Sequence, residues 1–90
     1  MKAVLETSQF RKDLKRIKKR GKDIQKLKDV VRKIASSGIL DSKYRDHPLA
    51  GILVGSRDCH VEPDWLLIYR KDEESIYLER TGSHSDLFRS

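Results

Sequence analysis

Three histidines, His47, His60 and His84, all fall in the second half of the 90-residue chain, and two aspartates stand close to the middle one. Asp58 lies just before His60, and Asp64 follows in the string EPDW. Histidine alone titrates near neutral pH without help from its surroundings. Three imidazoles and two carboxylates gathered in one place would therefore form an acid/base cluster. Each histidine taken singly is more often a surface or structural residue. A metal centre is the obvious rival, but no pair has C-x2-C or H-x3-H spacing, so no metal site is expected. Neither a P-loop nor a dinucleotide-type glycine motif is present. A cluster that needs no metal or other cofactor suits RNA cleavage. RNA carries its own nucleophile, the 2′-OH, so the protein must supply a base, an acid for the departing 5′-oxygen and a cation for the phosphorane.

The elements that must carry these side chains can be read from periodicity. Lys2–Glu6 has the pattern of a short strand anchored by Val4 and Leu5. Thr7 and Ser8 are N-cap candidates for a helix whose stripe is Phe10, Leu14 and Ile17, with Gly21 as its stop. Asp23 can cap a second helix with the stripe Ile24, Leu27, Val31 and Ile34, Val30 alongside, and Gly38 ends it. Periodicity lapses over Ile39–Gly55, which reads as a loop with room for short helical or strand pieces. Ser56–Val61, Trp65–Lys71 and Ser75–Thr81 read as strands joined by turns at Glu62-Pro63-Asp64 and Asp72-Glu73-Glu74. The closing GSHSDLFRS suits a turn and one helical turn. The order β-α-α-β-β-β predicts a single α+β domain over 1–90, a helical hairpin packed on one face of a mostly antiparallel sheet.

That frame sorts the chemistry by face. Alternation in Ser56–Val61 puts Arg57, Cys59 and Val61 toward the helices, and Asp58, His60 and Glu62 on the open face. Pro48 holds the backbone of His47 extended, and His84 and Phe88 align across one helical turn. Cys59 is expected to be a small buried residue rather than a nucleophile.

Charge adds a class of partner. The formal net charge is +6, yet Ser8–Ala35 holds twelve Lys/Arg against three Asp, a local +9. The rest of the chain, with eight Lys/Arg against eleven acids, is −3. Helix surfaces laced with salt bridges would mix the signs, so the excess points to a polyanion, nucleic acid first. The longest apolar run, Trp65–Tyr69, is far too short to span a bilayer, so no membrane partner is expected. One cysteine and an N-terminus without an apolar signal core fit a cytoplasmic protein.

Three strings sharpen the reading: YRDHPLAG at Tyr44–Gly51, SRDCHVEPDWLLIY at Ser56–Tyr69 and ERTGSHSDLF at Glu79–Phe88. In this order and spacing they closely resemble the YafQ branch of the RelE/ParE toxin superfamily, over essentially the whole chain. The resemblance implies a RelE-like microbial ribonuclease-type fold. It also implies a toxin of a type II toxin–antitoxin pair that cuts mRNA in the ribosomal A site and is silenced by a DinJ- or RelB-like antitoxin. By match, the catalytic set would be His47, Asp58, His60, Asp64 and His84, with His84 expected as general acid and Asp64, His47 or His60 as base. Arg80 matches a strand arginine that would steady the phosphate. Trp65 and Phe88 complete the candidate substrate contacts, Trp65 with the stronger claim to packing. Phe88 is open between covering the core edge and stacking on a nucleotide. Lys15, Lys18, Lys19, Arg20, Lys22 and Lys26 are expected to dock on ribosomal RNA.

Strict alternation conflicts with one of these roles. If Ile76 and Leu78 face the helices, Arg80 faces them too, unless a bulge intervenes. Two rival functions share the same features: a non-catalytic module for RNA or a partner, and a ParE-like gyrase inhibitor on the same fold.

Overall fold

The computed structural model describes residues 1–37, 40–49 and 55–88. A short strand, β1 (Ala3–Glu6), leads into helix α1 (Ser8–Lys19). Thr7 makes the junction, because its hydroxyl oxygen accepts from the Phe10 N–H at 3.0 Å while its O–H donates to the Glu79 carbonyl at 2.9 Å. One side chain thus caps a helix and ties it to the sheet. Gly21, at φ +82°, takes the left-handed turn that ends α1. The carboxylate of Asp23 then accepts from the Gln25 N–H at 3.0 Å, opening α2 (Ile24–Ser37). Gly38, expected to end this helix, lies outside the described residues.

The strands are β2 (His47–Pro48), β3 (Arg57–Glu62), β4 (Trp65–Lys71) and β5 (Ser75–Gly82), followed by a single helical turn, α3 (His84–Leu87). They form one sheet in the order β1-β5-β4-β3-β2, antiparallel except where β1 runs parallel to β5. β4 lies at the centre, and Trp65 to Tyr69 are all buried, which explains their unbroken apolar run. On the helix face Phe10, Ile17, Leu27, Val30 and Ile34 pack on Cys59, Trp65, Leu67, Tyr69, Ile76 and Leu78. At about 25 cal/mol per Å² of apolar surface removed from water, this layer is the main stabilising term. Among the described residues no helix is long and apolar enough to cross a membrane.

Two departures from the periodic pattern matter for the site. The segment after α2 contains a 3-10 turn at Ser42–Tyr44 and the two-residue strand β2, whose His47 pairs with Asp58 of β3. Two bulges interrupt the alternation. Between His60 and Glu62 the register slips against Leu66 and Trp65, and Glu62 turns to the helices instead of the open face. Its carboxylate accepts from Lys22 at 2.9 Å and Lys26 at 2.8 Å. The second slip sets Ile68 against Arg80 but Tyr69 against Leu78, so β5 bulges at Glu79.

Candidate active site

Strand pairing and a turn bring the three histidines together. β2 lies antiparallel to β3, and this places the His47 Nε2 3.7 Å from Asp58 Oδ2. His60 follows two residues along the same face of β3, and His47, Asp58 and His60 each offer a polar atom within 4.8 Å of the others. The Pro63-Asp64 turn carries Asp64 to the start of α3, where its Oδ1 accepts from the His84 ring at 2.6 Å and from the His84 backbone N–H at 2.9 Å. The His60 and His84 rings lie 5.6 Å apart between centroids, tilted by 59°. All five candidate catalytic residues therefore form one continuous cluster.

The rings share an orientation that chemistry can use. His47 Nδ1 is 3.2 Å from the Pro48 carbonyl, His60 Nδ1 is 3.2 Å from the Pro63 carbonyl, and His84 Nδ1 faces the Asp64 carboxylate. Each of these acceptors requires a proton on Nδ1. A ring held this way is the Nδ1–H tautomer whenever it is neutral, which leaves the Nε2 of His60 and His84 for proton transfer and turns that of His47 toward Asp58.

The two acids differ in surroundings. Asp64 is exposed, and hydrogen bonds from the His84 backbone and then its ring hold its carboxyl below the usual carboxylate range. Asp58 is buried beside the sheet, and loss of solvent raises its pKa against the opposing pull of His47, His60 and His84. Its Oδ1 has no hydrogen-bond partner among the described residues. A buried, unsatisfied carboxylate oxygen is costly in a purely structural role and is common where chemistry is done. Burial also pushes the Cys59 thiol far up, so it is an inert core group.

The proposed substrate contacts divide. Trp65 is 1 % exposed in the helix-side core and donates its indole N–H to Thr81 at 2.9 Å. It packs the core and has no face free for a base, which corrects its place among the substrate contacts. Phe88 is 43 % exposed, directly after α3. The bulge at Glu79 supplies the irregularity that Arg80 needs, but the guanidinium goes elsewhere. Its Nε and Nη2 donate to the two oxygens of Asp13 at 2.7 and 3.2 Å, and Asp13 is wholly buried on α1. The same carboxylate accepts from the Thr81 N–H at 3.2 Å. The sequence carried a signal for this anchor, because Asp13 falls on the buried stripe between Phe10 and Ile17.

The basic helices divide as well. Lys15, Lys18 and Lys19 have no ion-pair partner among the described residues. Lys22 and Lys26 hold Glu62, and that pairing lowers the Glu62 pKa. Arg20 grips Asp86 through both terminal nitrogens at 2.6 and 3.0 Å, with Arg16 a further 3.3 Å contact, and holds that carboxyl far below its usual range. Asp86 closes a capping box with Ser83, so Arg20 fixes the turn that carries His84.

A family model for the bacterial toxin of type II toxin–antitoxin system, YafQ, matches residues 2–89. The chain belongs to the YafQ toxin family. It is 45 % identical over 83 residues to the mRNA interferase toxin YafQ of Escherichia coli K12, covering 91 % of this chain and 90 % of that one. Its fold matches YafQ in the crystal structure of the E. coli DinJ–YafQ toxin–antitoxin complex, with a TM-score of 0.89, 42 % identity and 97 % of each chain covered. A metal-bound toxin from Helicobacter pylori matches with a TM-score of 0.90 and 43 % identity, covering 98 % of this chain and 100 % of that one.

The last of these YafQ-fold relatives calls for a test of fit to a metal. Two imidazoles and a carboxylate within 4.8 Å of one another, one carboxylate oxygen unsatisfied, are a suitable donor set for a zinc- or copper-like ion. Sequence spacing argued against such a site because the decisive neighbour, His47, arrives through strand pairing rather than along the chain.

Proposed function

We propose that this YafQ-family toxin is a ribosome-dependent mRNA endonuclease of the bacterial cytoplasm, restrained by an acidic antitoxin of the DinJ kind. The observation that carries the reading is the set of three imidazoles in contact range, each with Nδ1 occupied and with the Nε2 of His47 turned toward Asp58. Asp64 is ionised at neutral pH and stabilises the positive charge on the His84 ring, which suits His84 as general acid. With its carboxyl held below the usual carboxylate range, Asp64 is the weaker base, so the base falls to His47 or His60. Nε2 of one of them takes the proton from the 2′-OH, and the 2′-oxygen forms a bond to phosphorus. The P–O5′ bond breaks as His84 Nε2 gives its proton to the 5′-oxygen. The products are a 2′,3′-cyclic phosphate and a 5′-OH, and hydrolysis of the ring yields a 3′-phosphate. A divalent ion could be held by His47, Asp58 and His60 and would add positive charge there, but proton transfer is assigned to the side chains themselves.

Lys15, Lys18 and Lys19 supply the docking charge for ribosomal RNA, with a salt-dependent affinity. In a translating extract, His84→Ala should lower mRNA cutting by about 10²-fold or more while leaving ribosome binding within about twofold. Loss of binding in parallel would instead favour a non-catalytic module.

A further inference from the structure

Beside His60 a cleft of about 450 Å³ opens between α2 and the segment that follows it, and its walls include Lys43, Tyr44, Arg45, Val61 and Glu62. Glu62 is neutralised by Lys22 and Lys26, and Asp29, the other acid of the lining, lies 3.8 Å from Arg32, so Lys43 and Arg45 leave the cleft net positive. The backbone around Arg45 is fastened on both sides. Lys33 donates to the Tyr44 hydroxyl at 3.1 Å, and the ammonium groups of Lys33 and Lys43 lie 5.0 and 5.1 Å from the centre of its ring. On the other side Asp46 accepts from the Arg57 guanidinium at 3.2 and 3.3 Å and from the Tyr69 hydroxyl at 2.6 Å. His47, next along, is held in β2.

Between these anchors Arg45 has φ 49° and ψ 45°, and it is the one residue outside glycine with positive φ among the described residues. A long side chain seldom takes this left-handed conformation, which glycine or asparagine adopts at little cost. Strain of this kind persists where neighbouring contacts over-determine it, and it clusters at ligand clamps. The guanidinium it presents has no hydrogen-bond or ion-pair partner among the described residues. Arg80, by contrast, is engaged by Asp13.

We propose that Arg45, assisted by Lys43, binds an mRNA phosphate next to the scissile one and steers the strand from the imidazoles into this cleft. The planar guanidinium suits two-point recognition of a phosphate, which the exposed lysines of α1 do not offer. The inference rests on the ribonuclease reading above and names a substrate contact for it.

The test uses the full-length toxin on programmed ribosomal complexes whose mRNA carries a neutral methylphosphonate on one side or the other of the cleaved linkage. Arg45→Asn removes the guanidinium while suiting the left-handed backbone, so its thermal stability should match or exceed that of the parent. Single-turnover cleavage of normal mRNA by Arg45→Asn should fall about 10- to 100-fold. The parent should lose a similar factor on one neutral-linkage substrate, and the variant should lose no more than about twofold further on it. Arg45→Lys should recover part of the rate. Losses that multiply at both linkages, or cleavage by Arg45→Asn at the parent rate, would overturn the proposal. An equal loss of binding to mRNA-free ribosomes would also overturn it, by moving the contact to ribosomal RNA. His84→Ala assayed alongside separates the two levels, since undiminished cutting by that variant would sink the ribonuclease reading itself.

Discussion

Two aspartate–histidine pairs flank His60, and they are built in opposite ways. Asp64 and His84 are exposed, meet at 2.6 Å and come from a turn and a helix start. Asp58 is buried, stands 3.7 Å from a half-exposed His47 and leaves one oxygen without a partner among the described residues. The first carboxyl is held ionised by hydrogen bonds, whereas burial biases the second toward its protonated form. Neighbouring acids of the same type thus serve different ends. In the proposed mechanism Asp64 is placed to support positive charge on the His84 ring, whereas Asp58 is a buried carboxyl with a raised pKa beside His47.

The sharpest way to break this contrast is to neutralise each acid in turn. Asp64→Asn keeps an oxygen for His84 but cannot support its positive charge, so cleavage should fall about 10²- to 10³-fold in a single-turnover assay with ribosome binding unchanged. Asp58→Asn should lower cleavage by about tenfold only, and it should stabilise the fold at pH 7 by about 1 kcal/mol in chemical denaturation.

The signs of the pH dependence also oppose. The folded pKa of Asp58 is raised, so the folded state holds its proton more tightly, and stability falls as pH rises from the ordinary carboxylate value through the folded one. Asp58→Asn should flatten that decline. Asp64 and Asp86 are depressed, so their contribution is present above the ordinary carboxylate pKa and is lost as pH falls through the folded values. A smaller effect is expected one step further from the chemistry. Asp86→Ala removes the capping box and the hold of Arg20 on α3, and should cost about 1 kcal/mol in thermal unfolding. The same variant should cut kcat more than it raises KM, because His84 loses its support rather than the substrate its binding surface.

The contrast also marks what sequence can disclose. The helix stripes, the three long strands and the open-face placement of Asp58 and His60 follow from local periodicity and capping, and the structure has them. The resemblance in three strings carried the family. Long-range pairing was out of reach. A two-residue β2 has no alternation to read, and only its partner β3 makes it a strand. Glu62 escaped because the bulge before it resets the face of the residues that follow, whereas Arg80, which alternation sends toward the helices, pairs there with Asp13. Arg20, Lys22 and Lys26 looked like docking charge because their acids, Asp86 and Glu62, lie far along the chain. Asp13 was legible as a charge on an apolar stripe, which is the usual mark of a buried ion pair.

The central claim is that the substrate's own 2′-oxygen is the nucleophile, activated and released by this imidazole cluster. It is tested most directly with a programmed ribosomal complex carrying a single 2′-deoxy substitution at the scissile nucleotide. The account predicts that the toxin binds this complex normally and leaves the mRNA intact, while a deoxy substitution further along the strand has no effect. Cleavage that persists at the substituted position would contradict it.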